Sequence, residues 1–174
     1  MIRAVFPGTF DPIHYGHVDI AQRATRLFDQ VVIAVYDRPL KTLLFSPEQR
    51  IKMARLVLND RKNIEVMGFS GLLVEFCRQI DAQVIVRGLR VFSDFEYEFR
   101  MALANNRLAP EIEMVVLITR EEHTFLSGST VREIASLKGD VSSMVPPPIE
   151  KALIDRFNEL GDEQQIVPTT SLRD

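Results

Sequence analysis

The chain has 174 residues, 46% of them hydrophobic and 26% charged, with nine prolines, a formal net charge of −3 and a single cysteine, Cys77. That balance fits one globular domain with a continuous core, and it excludes an internal disulfide and the broad positive field that long nucleic acids require. No apolar run approaches the ~20 residues that cross a bilayer, and the start lacks an export-type segment, so the expectation is a cytoplasmic protein with a small-molecule partner.

Ile2–Phe6 is the first apolar run and reads as a buried strand. It hands over to Gly8-Thr9-Phe10-Asp11-Pro12-Ile13-His14-Tyr15-Gly16-His17, a loop rich in backbone donors that opens into a helix with Val18, Ala21, Thr25 and Phe28 on one face. Val31–Tyr36, Ile64–Met67, Val84–Arg87 and Met114–Thr119 read as further strands, nearly all apolar, as expected of parallel strands covered on both faces. Between them, Ser46-Pro47-Glu48-Gln49 marks a helix start, with a cap residue, a first-turn proline and a reciprocal Gln. Cys77 lies in the apolar stretch from Leu72 to Ile80 and reads as a buried free thiol.

Phe95, Phe99, Ala102 and Leu103 share a helix face that is expected to cover the sheet, and Thr130-Val131-Arg132-Glu133 has the form of a capping box. Ile149, Ala152, Leu153, Phe157 and Leu160 form a last amphipathic helix behind the prolines at 146–148. The alternation predicts an α/β fold: a Rossmann-like, five-stranded parallel sheet with helices on both faces, and ligands at the carboxyl ends of the strands. Residues 1–160 form the single domain in this reading, and the polar, aperiodic 161–174 a mobile C-terminal tail.

The chemistry-bearing residues fall at those strand ends. Thr9 and the Phe10 amide suit phosphate oxygens, although Gly-Thr-Phe-Asp-Pro also fits an ordinary turn with Asp11 and Pro12 as turn formers. His14 and His17 share a helix face, and no third ligand at suitable spacing points to zinc or any other protein-bound metal. Lys41, Arg87 and Arg90 project from one rim of the sheet, and Arg87 needs a partner if partly buried. Glu96 and Glu98 lie two apart, hence on different helix faces, which argues against a paired-carboxylate hydrolase. His123 to Thr130 offers hydroxyls and amides at a helix start, either a second anion nest or a simple N-cap, and Ser127 sits in no nucleophile elbow.

Pro7-Gly8-Thr9-Phe10-Asp11-Pro12 with His14-Tyr15-Gly16-His17 resembles the nucleotidylyltransferase superfamily, which shares its histidine motif with class I aminoacyl-tRNA synthetases. Gly68-Phe69-Ser70, Arg87-Gly88-Leu89-Arg90, Asp94-Phe95-Glu96-Tyr97-Glu98 and Ser127-Gly128-Ser129 narrow the likeness to its bacterial members that act in coenzyme A synthesis. It runs from about residue 2 to about residue 160. The resemblance implies transfer of AMP from ATP to 4'-phosphopantetheine, giving dephospho-coenzyme A and pyrophosphate, with Mg2+ and as a homohexamer.

Position by position, the resemblance implies that His17 stabilises the pentacovalent α-phosphate and that Thr9 orients the attacking phosphate while its loop, with Phe10, contacts ATP. Lys41 would bind the transferring and incoming phosphates, Arg87 the pantetheine phosphate, and Leu73 would line the pantetheine arm. Gly88, Leu89, Arg90 and Glu98 would hold the nucleotide, and His123, Thr124, Phe125, Leu126, Ser127, Gly128 and Ser129 the β- and γ-phosphates. Gly128 departs from the serine common there, and His14 stands where threonine is frequent, which leaves His17 as the catalytic histidine. Another small-molecule adenylyl- or cytidylyltransferase, or a nucleotide-binding module without chemistry, remains the alternative at this stage.

Overall fold

The computed structural model describes residues 1–37 and 43–161, with Ser93 by its backbone alone. Five parallel strands, β1 (Arg3–Gly8), β2 (Gln30–Tyr36), β3 (Ile64–Phe69), β4 (Val84–Leu89) and β5 (Glu113–Ile118), lie in the order β3-β2-β1-β4-β5. Six helices, α1 (Tyr15–Ala24), α2 (Pro47–Leu58), α3 (Leu73–Gln79), α4 (Phe92–Leu108), α5 (Gly128–Ser136) and α6 (Pro147–Leu160), connect and follow them. The chain builds outward from β1 to β3, then returns across β1 to begin β4. The order therefore reverses between β1 and β4, and the carboxyl ends of these two strands are where sheets of this topology place their ligand crevice.

Period-two alternation sends the strand side chains into two cores. Ala4, Phe6, Val31, Ile33 and Val35 pack with Ile20, Met53, Ile149 and Leu153 on one face. On the other, Val5, Val32, Ala34 and Ile85 meet Val74, Phe76 and Cys77. Each large aliphatic side chain so buried contributes about 2 kcal/mol relative to exposure. The Cys77 thiol is pushed up to about 11 by burial, as suits a packing residue.

The predicted strands are all present, but β1, β3 and β4 each run two residues further than the apolar runs that announced them. Gly88 and Leu89 thus belong to β4, paired with Leu117 and Ile118, instead of following it. A Cβ on Gly88 would stand 3.2 Å from Ile20 Cγ1, so glycine lets α1 lie close over the strand. Helix α1 stops at Ala24, with Thr25 as its C-cap, and Phe28 packs on the core from the following turn rather than from the helix. The cap at Ser46 forms as expected: Ser46 Oγ accepts from the Gln49 amide (3.3 Å) while Gln49 Oε1 accepts from the Ser46 amide (2.9 Å).

Two helix expectations fail. Helix α5 begins at Gly128, capped by Ser127 Oγ on the Thr130 amide (3.0 Å), so Thr130 lies within the first turn and starts no capping box. The Phe95 face of α4 does not cover the sheet: Phe92, Phe95, Phe99 and Leu103 are 88, 48, 52 and 57% exposed. The side of α4 that turns inward carries Glu98, because an arginine below it supplies an ion-pair partner. The 161–174 expectation falls outside the described residues from 162 onward. Among the described residues no helix is long and apolar enough to cross a membrane.

Candidate active site

The loop leaving β1 turns sharply at Phe10, whose φ of +50° is unusual for a bulky residue. Its ring is buried edge-on to Phe6 (5.6 Å between centroids) and to His17 (4.9 Å). Thr9, half-buried, stands at the end of the crevice beside it. Asp11 does more than form a turn. Its buried carboxylate accepts from the amides of Leu44 (2.8 Å) and Phe45 (3.0 Å), so it ties the segment entering α2 to the β1 loop.

His14 and His17 stand at the start of α1, with rings stacked 3.6 Å apart. The His14 amide donates to His17 Nδ1 (3.2 Å), which leaves the His17 ring proton on Nε2 when the ring is neutral. The ring is neutral over a wide range. Burial first, then the Arg90 and Arg87 guanidiniums, push His17 down to about 3. His14 is lowered well below the usual histidine range too, by burial and then by His17, Arg90 and His123. Its Nδ1 is buried and has no hydrogen-bond partner among the described residues.

The arginines of Arg87-Gly88-Leu89-Arg90 are held in the same manner. Arg87 Nε and Nη2 donate to both oxygens of Glu98 (2.8 and 2.6 Å), and Nη1 donates to the Pro7 carbonyl (2.9 Å). Arg90 Nε and Nη2 donate to Asp94 (2.9 and 3.2 Å), and Nη1 to the Leu126 carbonyl (2.8 Å). Asp94 and Glu98 are one helical turn apart on α4, so a single helix face presets both cations. A guanidinium has five N–H donors, so two on each arginine point elsewhere than these partners.

Past β5, a 3-10 turn (Glu121–His123) brings His123 near α1, its Nε2 3.6 Å from Glu122 Oε1. Thr124 Oγ1 donates to the Glu121 carbonyl (2.8 Å), Phe125 is exposed and Leu126 is fully buried. Ser127 Oγ lies 2.9 Å from Ser129 Oγ and 2.8 Å from Thr130 Oγ1, a hydroxyl cluster at the α5 N-terminus. A Cβ on Gly128 would stand 3.0 Å from the Asp11 carbonyl oxygen, so glycine is what lets α5 approach the β1 loop. Thr9, Phe10, His17, Arg87 to Arg90 and the 123–129 loop therefore gather at the ends of β1, β4 and β5. Leu73 opens α3 and packs half-buried on the second core. Lys41 lies outside the described residues.

Three polar residues around this site were given no role in it from sequence: Arg50, Asp94, quoted only within a motif, and Arg132, quoted only within a capping-box segment. Arg50 had a visible signal. It shares the apolar stripe of α2 with Met53, Ala54 and Leu58, where a charge calls for a partner.

A family described as cytidylyltransferase-like matches residues 5–134. The chain is 52% identical to the phosphopantetheine adenylyltransferase of Synechococcus sp. (strain JA-3-3Ab), over 88% of this chain and 97% of that one. It is 55% identical to the enzyme of that name from Thioalkalivibrio sulfidiphilus, over 88 and 97%, and 46% to that of Desulfitobacterium hafniense (strain Y51), over 92 and 98%. Among solved structures, a putative nicotinate-nucleotide adenylyltransferase from Vibrio parahaemolyticus aligns over 91% of this chain and 97% of its own, with a TM-score of 0.69 at 18% identity. Plasmodium falciparum nicotinic acid mononucleotide adenylyltransferase complexed with NaAD aligns over 90 and 95%, with a TM-score of 0.65 at 14% identity. At those identities the structural likeness speaks for the shared fold.

Proposed function

Since the chain belongs to the cytidylyltransferase-like family and, within it, to the phosphopantetheine adenylyltransferases, we propose that it transfers AMP from ATP to 4'-phosphopantetheine, giving dephospho-coenzyme A and pyrophosphate. The observation that carries the mechanism is the neutral His17 at the β1–β4 crevice, flanked by two guanidiniums already fixed by Asp94 and Glu98. A phosphate oxygen of the acceptor attacks the α-phosphorus of ATP, a new P–O bond forms in line, and the bond to pyrophosphate breaks with its electron pair leaving on pyrophosphate. The acceptor itself supplies the nucleophile.

The protein's tasks are then alignment and charge neutralisation. His17 donates from Nε2 to the oxygens where charge concentrates. The free ring is already neutral, so it brings no buried charge of its own to the site. In this reading Arg87 faces the acceptor phosphate and Arg90, with Gly88 and Leu89, the nucleotide. Glu98 serves that arrangement through Arg87, since both its oxygens are engaged there. Thr9 and Phe10 line the transferring phosphate, Ser127 and Ser129 the triphosphate end, and Leu73 the pantetheine arm, with Lys41 as a further phosphate ligand.

Charge neutralisation at the nucleotide phosphates would be supplied by Mg2+ bound to those phosphates. The hydroxyl and guanidinium donors on this rim are phosphate ligands in kind. Among the described residues no group of three or more His, Cys, Asp or Glu converges as direct ligands of an ion. We assign the reaction to the cytoplasm and, from the family resemblance, the working form to a homohexamer; the exposed aromatic face of α4 supports self-association without fixing the number of copies.

The deciding experiment offers ATP with a panel of phosphorylated acceptors, 4'-phosphopantetheine and nicotinate mononucleotide among them, and detects adenylylated products by mass. Dephospho-coenzyme A as the dominant product is expected. Transfer to another acceptor, or none, overturns the reading.

A further inference from the structure

Arg50 is 1% exposed, yet among the described residues its guanidinium gives its hydrogen bonds to main-chain carbonyls and not to a carboxylate. Nε donates to Phe45 O (3.2 Å), and Nη1 to both Thr9 O and Tyr36 O (2.7 Å each). A well-packed apolar side chain serves the stability of such a site at least as well as a buried charge. Methionine would continue the stripe of Met53, Ala54 and Leu58. What methionine lacks is a fork that fixes three carbonyls at once.

The three carbonyls belong to the loop after β1, the end of β2 and the residue before the α2 cap. The first bears on the chemistry. Thr9 O and the Phe10 amide are parts of one trans peptide, so they point in opposite directions. With Thr9 O drawn onto Arg50, the Phe10 N–H is turned away from α2. On the other side of Phe10, Nη1 of the buried Arg132 donates to Asp11 O and lies 3.4 Å from Asp11 Oδ2. Two guanidiniums from α2 and α5 thus grip the carbonyls on either side of a residue whose φ is +50°. A backbone conformation this uncommon persists only when its surroundings over-determine it.

We propose that Arg50 is a positioning residue for adenylyl transfer: by holding the Thr9 carbonyl it aims the Phe10 amide at the nucleotide phosphates, with Arg132 bracing the Asp11 carbonyl behind it. This rests on reading the site as an adenylyltransferase site. Arg50 touches no reacting atom. Its removal loosens an amide donor needed most in the transition state, so the loss falls on kcat more than on KM.

The test uses the full chain, with pyrophosphate release from ATP and 4'-phosphopantetheine, in wild type, Arg50→Lys and Arg50→Met. Lysine keeps the charge without the fork, and methionine keeps the bulk without the charge. For both, the expected result is a kcat lower by about tenfold or more, with KM for the acceptor within about threefold, on protein that circular dichroism shows folded. A variant that melts earlier but turns over at the wild-type kcat overturns the proposal.

A measurement on wild type decides the matter if the variants do not fold. The ¹⁵N-phenylalanine amide signal of Phe10, assigned with Phe10→Leu, is expected to shift on saturation with ATP, and a stationary signal overturns the proposal. Wild type that binds ATP with that shift but makes no dephospho-coenzyme A refutes the assigned reaction, and leaves the role of Arg50 toward phosphates standing.

Discussion

His17 is a buried ring that stays neutral in the folded chain. Burial and the two neighbouring guanidiniums push it down to about 3, while an unfolded chain binds the proton near the ordinary 6.5. The unfolded state therefore takes up more protons between those values. Stability from this ring is fully present above about 6.5 and is lost progressively as pH falls toward about 3. His14, lowered by burial and the same neighbours, acts in the same direction. The melting temperature of the ligand-free protein is expected to fall from pH 7 to pH 5, before most carboxylates titrate. His17→Gln should flatten that slope, and an unchanged slope in the variant would refute the buried-neutral account. His17→Ala is expected to lower turnover about a hundredfold or more, equivalent to about 3 kcal/mol of transition-state stabilisation, while ATP affinity stays within a few-fold. Pyrophosphate release near the wild-type rate sinks the assignment. Arg87→Ala should weaken 4'-phosphopantetheine selectively, and calorimetric titration with unchanged acceptor affinity argues against it.

At the scale of elements, what could be read in advance was whatever depends on a few neighbouring residues. The apolar runs announced five strands, and Ser46 with Gln49 announced the start of α2, because both patterns are local. The last residues of β1, β3 and β4 escaped; in β4, Gly88 reads as a loop until the α1 side chain lying over it is known. The site divides in the same way. Its candidate ligand-binding residues cluster at strand ends and were visible as Gly, His and Arg beside one another. Their supports were not, because Arg50 meets Thr9 across 41 positions and Arg132 meets Asp11 across 121. The α5 cap shows a local misreading. Thr130 with Glu133 fits a capping box, yet Ser127, three residues earlier, already accepts the Thr130 amide. Ser127→Ala is expected to cost about 1 kcal/mol of stability through the lost cap. In the proposed site it should also raise the KM for ATP more than that for the acceptor. A thermal melt gives the first and steady-state kinetics the second, and equal effects on both KM values would make Ser127 a cap alone.

At the scale of the whole molecule, the strand order explains why the site lies where it does, and the surface of α4 shows what this fold leaves unfinished. Phe92, Phe95 and Phe99 form an aromatic row, with successive rings 6.2 and 5.8 Å apart, and Leu103 continues it. On the edge strand β5, Ile118 is 71% exposed and Val116 is exposed as well. An exposed aromatic row of that kind is uncommon on a monomer and common on an assembly. The opposite side of α4 carries the acids that hold Arg87 and Arg90, so copies packed on the aromatic row would stiffen the helix that presets both cations. Two glutamates in that row, Phe95→Glu with Phe99→Glu, bring charge into the proposed interface and leave the core untouched. The expected outcome is a wild type whose light-scattering mass is a multiple of 19.9 kDa and a double variant that is smaller, folded and slower, with weakened binding of both substrates. Wild type that runs as a single chain, or a variant that keeps the wild-type mass, removes α4 from any role in assembly.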